Sequence, residues 1–250
     1  MLTEKRYREI LEQVDLHQNV TVQELVTCLG VSESTIRRDL NALDKMGKLK
    51  KVFGGATAVG DVYLSRDLSM NEKSLLNLTE KRVIAGYAAK LVQPGDFVFV
   101  DAGTTTQIFS ELVTITDATY VTNSIGNGSI LAAKGCRTII LGGELKSITE
   151  AIVGADTIES INKYHFTKGF FGTNGMDETC GFTTPDITEA AVKRVALEHT
   201  AEQFILGDSS KFGKIAPVSF GAIDSAVVLT DRISDAKYRK YENIREVGSL

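Results

Sequence analysis

The stretch from Ser32 to Gly55, SESTIRRDLNALDKMGKLKKVFGG, limits what this chain can fold into more than any other. Ile36, Leu40 and Leu43 recur at i, i+4 and i+7, which gives a helix one apolar face and leaves Glu33, Ser34, Thr35, Arg37, Arg38 and Asn41 on the others. Ser32 stands at the N-cap, and Val31 and Ile36 fall at N′ and N4, the spacing of a hydrophobic staple. Upstream, Thr21 and Glu24 have capping-box spacing, and Val22, Leu25, Val26 and Leu29 form a second apolar face that Gly30 ends. Two helices joined by a tight turn containing Gly, the second opening with Ser, Thr and Arg, form the helix-turn-helix pattern. Lys48 to Gly55 is too short and Gly-ended for another helix and predicts a basic two-stranded wing.

Charge separates this reading from an ordinary solvated helical cap. From Ser34 to Phe53 six Lys and Arg stand against two Asp, a local excess of +4 in a chain of net charge −4. A basic patch on an acidic protein is the footprint of phosphate binding. Ser32, Ser34, Thr35, Arg37, Arg38 and Asn41 are the candidates for reading DNA, and Lys48, Lys50 and Lys51 for holding its phosphates. A first helix over 3–15, with Tyr7, Ile10, Leu11 and Val14 on one face, completes a winged helix-turn-helix domain over 1–56. So small a module touches few bases, so stable binding calls for two or more copies, a dimer or tetramer.

The remaining 57–250 has ordinary globular composition, at 43% hydrophobic and 24% charged residues for the chain as a whole. Its sequence has no apolar run of membrane-spanning length, and the first residues lead into a polar amphipathic helix and not a signal peptide, so no membrane partner and a cytoplasmic location are expected. Cys28, Cys136 and Cys180 lack CxxC spacing, and His17, His165 and His199 are scattered, so neither a metal nor another cofactor is expected.

Residues 57–78 show no sustained periodicity and read as a linker, with Val62, Tyr63 and Leu64 able to dock on the next domain, or alternatively as a pair of short strands. From 79 to 250, helices and short apolar runs alternate: helix 79–92, strand 97–100, strand 119–122, helix 125–134, strand 137–141, strand 166–171, helix 188–200, strand 203–207 and strand 226–230. That alternation specifies an α/β domain with helices on both faces, whose ligands bind beyond the carboxyl ends of the strands. Gly103 with Thr104, Thr105 and Thr106 opens a helix and suits a phosphate; Asp101, Asn123 and Asn174 suit sugar hydroxyls; Lys193 or Lys211 adds positive charge. Gly142, Gly143, Thr173, Glu189 and Asp208 stand at the same strand ends or on the helix beside them. Each has a plainer reading: a tight turn at Gly103, a hairpin at Gly142 and Gly143, and a surface Lys193 paired with Glu189 at i, i+4.

By its motifs the sequence resembles the DeoR family of bacterial transcriptional repressors along essentially the whole chain. The resemblance lies in Val31-Ser-Glu-Ser-Thr-Ile-Arg-Arg-Asp-Leu40, Gly54-Gly-Ala56, Asp101-Ala-Gly-Thr-Thr105, Val121-Thr-Asn123, Leu141-Gly-Gly143, Gly172-Thr-Asn-Gly175, Glu189 to Lys193, and Asp208-Ser-Ser-Lys211. It implies a C-terminal sensor domain for phosphorylated sugars and for oligomerisation, related in fold to ribose-5-phosphate isomerase and glucosamine-6-phosphate deaminase. It also implies repression at a double-stranded operator, relieved by the effector, with no turnover. Gly172-Thr-Asn-Gly175, Gly181 to Asp186 and Ser210-Lys-Phe-Gly213 look most like the fructose-operon repressors, which implies fructose 1-phosphate as inducer. The alternatives are an isomerase- or deaminase-like enzyme fused to a DNA-binding head, for which Asp101, Glu144, Glu189 and Asp208 are candidate acid–base groups, and a constitutive DNA binder.

Overall fold

A computed structural model describes residues 3–17, 19–58, 64 and 69–248. The chain divides into two compact units, Met1–Asp61 and Val62–Leu250.

The first unit runs α1 (Thr3–His17), β1 (Asn19–Thr21), α2 (Val22–Leu29), α3 (Glu33–Lys45), β2 (Leu49–Val52) and β3 (Gly55–Ala58). Its helix ends are set by the residues that the spacing singles out. Glu24 N donates to Thr21 Oγ1 at 3.2 Å while Thr21 N donates to Glu24 Oε2 at 2.7 Å, closing the capping box of α2. Gly30 ends α2 in the left-handed conformation, φ 64°, and Ser32 Oγ accepts the Thr35 N–H at the start of α3. Ile10, Val14, Val22, Leu25, Ile36, Leu40 and Leu43 bury together as the core, each contributing about 1.5–3 kcal/mol.

The expected two-stranded wing is the antiparallel β2-β3 hairpin, and β1 adds a third strand to its sheet, in the order β1-β3-β2. Three residues are too few for a period-2 signal, which is why Asn19–Thr21 escapes sequence reading. β3 lies so close to β1 that a Cβ on Gly55 would stand 2.0 Å from the Val20 carbonyl oxygen, so this position tolerates only glycine.

Val62 and Tyr63 of the expected linker lie outside the described residues, as do 59–61 and 65–68. Elsewhere 57–78 departs from a plain linker. Thr57 and Ala58 belong to β3, the Leu64 N–H donates to the Ile215 carbonyl at 2.8 Å, and α4 (Met70–Leu75) comes next. α4 is too short for periodicity, yet Ser69 and Glu72 close a full capping box at its start.

The second unit runs α5 (Leu78–Ala89), β4 (Phe97–Val100), α6 (Thr104–Leu112), β5 (Thr119–Thr122), α7 (Ile125–Ala133), β6 (Arg137–Ile140), β7 (Glu144–Leu145), β8 (Ile152–Val153), α8 (Ala155–Ile161), β9 (Phe166–Gly172), β10 (Gly175–Asp177), β11 (Gly181–Thr184), α9 (Ile187–Glu198), β12 (Thr200–Leu206), β13 (Val218–Gly221), β14 (Val227–Thr230) and β15 (Ile244–Glu246). Seven strands form one parallel sheet in the order β15-β14-β12-β9-β4-β5-β6. The continuous apolar runs follow from burial on both faces: Phe99, Phe171, Ile205 and Val228 pack with Val192 and Ala196 of α9, while Val98, Val100, Phe170 and Phe204 pack with Ile84 of α5 and Phe109 of α6. The small sheets β7-β8 and β10-β11-β13, together with α8 and β15, are too short or irregular to be read from pattern.

From β4 the chain winds outward to β5 and β6, then returns to place β9 on the other side of β4 and continues to β12, β14 and β15. The order therefore reverses between β4 and β9, and the carboxyl ends of that pair form the topological switch point where such sheets bind ligands.

Candidate nucleic-acid interface and effector site

α3 presents its polar side as expected. Ser32, Ser34, Arg37, Arg38, Asn41, Lys48, Lys50 and Lys51 are all exposed, and Thr35 half-buried. The Ser32 hydroxyl lies 3.0 Å from that of Ser34 and 2.9 Å from that of Thr35, so these three form one cluster at the helix start. Arg37 is turned back on Glu33, Nη2 to Oε1 2.6 Å, while Arg38, Lys48 and Lys50 make no ion pair among the described residues. Lys51 joins the wing to α3: its ammonium donates to Asn41 Oδ1 at 2.7 Å and its N–H to Asp44 Oδ1 at 2.8 Å. Asp39, one of the two acids in the local charge sum, does not face outward. It is 1% exposed and takes a bidentate bond from Arg6 of α1, so the exposed patch is more basic than the sequence sum.

In the second unit the candidates come together at one edge of the sheet but divide by accessibility. At the switch point Asp101 follows β4, and the Lys193 ammonium of α9 contacts its Oδ2. The Gly172 N–H donates to that same oxygen at 3.0 Å, and Lys193 donates to the Gly172 carbonyl at 3.1 Å. Full burial pushes the Asp101 carboxyl up, against the pull of Lys193 and the Gly172 N–H. Lys193 is thus not a surface lysine, being 4% exposed, and its pair with Glu189 is not made. Glu189 instead accepts from Lys146 at 3.0 Å and Thr149 at 2.5 Å, and Lys146 also bonds Asp186 at 2.7 Å. Burial works against ionisation of Asp186, but the Lys146 ammonium, the Thr188 hydroxyl and the Glu189 N–H hold its carboxyl well below the usual range. The segment between β7 and β8 is clamped by these bonds to the start of α9.

Several candidates support the rim from within. Asn123 Oδ1 accepts the Ala102 N–H at 2.9 Å while its Nδ2 donates to the Ile152 carbonyl at 3.3 Å. Thr106 is wholly buried and its hydroxyl bonds the Gly103 carbonyl at 2.9 Å, leaving no surface for a ligand. The Thr173 hydroxyl donates to the Gly175 carbonyl at 2.8 Å, Asn174 Oδ1 accepts from Thr184 at 3.3 Å, and the Gly142 carbonyl accepts from Thr157 at 2.8 Å. Gly143 runs directly against Thr157 and Val153. Gly103, Thr104 and Thr105 open α6, which has no side-chain cap.

The most unusual polar cluster lies past β12. Asp208 Oδ1 accepts from Asn77 Nδ2 at 3.0 Å, the Ser210 N–H at 3.0 Å and the Ser210 hydroxyl at 2.5 Å. Its Oδ2 is buried and makes no hydrogen bond among the described residues. Burial opposes ionisation of Asp208, yet Lys211 and the two Ser210 donors hold its carboxyl below the ordinary value. Beside it Lys81, 4% exposed, donates to the Lys73 carbonyl. Burial, then the charge of Lys211, depresses its pKa from 10.5 to about 8. Sequence reading missed both Asn77 and Lys81. The signal for Lys81 was present: Lys81, Ile84, Ala85 and Ala88 fall at i, i+3, i+4 and i+7, so a lysine occupies the apolar stripe of α5.

A model of the DeoR-like helix-turn-helix domain matches residues 6–61, and one of the DeoR C terminal sensor domain matches residues 76–232. The chain belongs to the DeoR family of transcriptional regulators. This DeoR-family chain is 40% identical over 247 residues to the uncharacterized HTH-type transcriptional regulator FruR of Bacillus subtilis, covering 98% of this chain and 96% of that protein. It is 36% identical over 248 residues to the lactose phosphotransferase system repressor of Staphylococcus epidermidis, with 98% of each covered. Among solved structures, ribose 5-phosphate isomerase A from Neisseria gonorrhoeae aligns with 53% of this chain and 52% of its own, at 15% identity and a TM-score of 0.39. In this DeoR-family regulator no described helix is long and apolar enough to cross a membrane, and no group of three or more His, Cys, Asp or Glu among the described residues could hold a metal ion.

Proposed function

We propose that this regulator represses at double-stranded operator DNA as a homo-oligomer in the cytoplasm and releases it when a phosphorylated sugar occupies the sensor unit at the carboxyl ends of β4, β9 and β12. Ser32, Ser34, Thr35, Arg38 and Asn41 read or position bases, while Arg37, Lys48, Lys50 and Lys51 hold phosphates. In the sensor unit Lys81 and Lys211 take the effector phosphate, Asp208 Oδ2 takes a sugar hydroxyl, and Gly103, Thr104 and Thr105 supply further donors.

The observation that carries this reading is the presence in one cluster of a buried Lys81, close enough to feel the charges of Lys211 and Asp208, and a buried Asp208 oxygen that makes no hydrogen bond among the described residues. A cation crowded by another cation is relieved by an anion, and an orphan acceptor is relieved by a hydroxyl donor. A phosphosugar supplies both. The likeness of Gly172 to Gly175 and Gly181 to Asp186 to fructose-operon repressors makes fructose 1-phosphate the first effector to test. Against turnover by Asp101, the oxygen that would take a substrate proton is already engaged by the Lys193 ammonium and the Gly172 N–H.

The test is release of a duplex, selected from a random pool by the full chain, upon addition of individual phosphosugars. Release by fructose 1-phosphate supports the reading, and a duplex indifferent to every phosphosugar contradicts it.

A further inference from the structure

Phe53 is 108% exposed, more than any other large apolar side chain among the described residues; Leu75 is next at 80% and Ile187 at 71%. It forms, with Gly54, the two-residue loop of the β2-β3 hairpin, whose closing pair is Val52 and Gly55. A ring displayed in this way, with nothing in its own unit covering it, is free to take an apolar or stacking partner.

The tip that carries it is anchored. The Val22 N–H donates to the Gly54 carbonyl at 2.9 Å, and the close approach of Gly55 to Val20 leaves the hairpin no room to shift inward. The Lys51 bonds to Asn41 and Asp44 tie the adjacent strand to α3, and Phe53 lines one cleft with Arg37, Asn41 and Lys51. The hairpin tip that carries the ring therefore has a defined offset from the helix assigned to the major groove. Its surroundings are cationic, with Lys48, Lys50 and Lys51 on the same wing, which suits a polyanion and disfavours an apolar protein surface.

We infer that Phe53 is a wedge: on the operator the ring enters the minor groove next to the segment read by α3 and opens one base step. Flexible pyrimidine–purine steps unstack most easily, so Phe53 adds sequence preference outside the bases that α3 touches, and it kinks the duplex. The inference rests on the DNA-binding reading and assigns one residue a distinct role within it.

The experiment uses the full chain and its Phe53→Ala and Phe53→Leu variants, each selecting duplexes from a random pool. The selected duplex then carries 2-aminopurine at successive flanking positions and a donor–acceptor dye pair at its ends. Enrichment of a sequence by the wild-type chain establishes DNA binding by itself. A wedge then gives a fluorescence rise at one flanking step and a shorter end-to-end distance. Phe53→Ala loses both signals and the flanking preference, with about tenfold weaker binding, while Phe53→Leu retains part of each. An enriched sequence bound by wild type and Phe53→Ala with the same flanks and no 2-aminopurine signal overturns the wedge while leaving DNA binding intact. No enrichment by wild type overturns both. Phe53 has no packing to lose, so the variants keep the fold, checked by circular dichroism.

Discussion

Asn77 donates through Nδ2 to Oδ1 of Asp208 over 3.0 Å, tying the N-cap of α5 to the end of β12 across 131 positions of sequence and leaving the second Asp208 oxygen buried and without a partner among the described residues. Asn77 adopts the left-handed conformation, φ 51°, uncommon for a residue with a side chain. The helix that carries Lys81 is thereby fixed against the turn that carries Lys211.

Asp208→Asn keeps an acceptor for Asn77 and Ser210 but removes the negative charge and replaces one oxygen by a donor. The variant is expected to bind operator with unchanged affinity and to lose its phosphosugar response, measured as the effector concentration that releases half of the bound duplex. Loss of operator binding in a folded variant would mean that the cluster serves the DNA-binding state itself.

Lys81→Met removes the ammonium from the stripe of α5. Loss of a charge-assisted bond weakens effector binding by about 1.5–3 kcal/mol, or about 10–150-fold in Kd, read by calorimetric titration. The same change relieves a buried, crowded charge, so the melting temperature without effector is expected to rise. A lower melting temperature with undiminished effector affinity would show Lys81 to be a structural cation.

The depressed pKa of Lys81 also sets a pH dependence. In the unfolded chain the group holds its proton to about 10.5, whereas in the fold it releases it near 8. Between those values the unfolded state binds the extra proton, so Lys81 contributes rising stability as pH increases through this window, and below it the full burden of the buried charge is present. Effector affinity runs the other way: it is highest below pH 8 and falls above it as the cation is lost. Titrations at about pH 7 and about pH 9.5, on either side of that release, separate the two; equal affinities would exclude Lys81 from the anion site.

Asp39→Asn removes the negative charge from the buried pair that Arg6 makes between α1 and α3. The expected loss in the first unit is about 1.5–3 kcal/mol, a large share for so small a core, seen as an earlier unfolding transition and weaker operator binding that Arg6→Met restores in part. Arg38→Ala, in contrast, is expected to leave melting unchanged, to weaken binding to the selected duplex by about 1–3 kcal/mol and to relax specificity, whereas Lys51→Ala lowers affinity for all sequences and flattens its salt dependence. Equal effects of the two on specific and non-specific DNA would contradict that division.

Much of this architecture is visible in the sequence because its signals are local. Capping spacings at Thr21 and Ser32, the apolar stripe of α3 and the two-sided apolar runs of β4 and β9 each depend on neighbours within a few residues. What escaped depends on distant partners or short elements: β1, with three residues, has no measurable period, and Lys193 looks like a solvated helix residue until β4 brings Asp101 beside it. Asn123, Thr106 and Thr173 carry the residue types of a ligand site and use them on backbone groups instead. Lys81 was legible as a charge in an apolar stripe, and Asn77 was not, because its role comes from a chain turn and a contact far along the sequence.

The most direct test of the sensor reading is fluorescence anisotropy of the selected operator duplex with the full-length chain and with Lys81→Met, titrated with fructose 1-phosphate and then with other phosphosugars. Equal affinity of both proteins for DNA, with release of the wild type by a phosphosugar at concentrations that leave Lys81→Met bound, is the expected result. Release of both at the same concentration would place the anion elsewhere, and a wild-type complex indifferent to every phosphosugar would contradict the sensor reading itself.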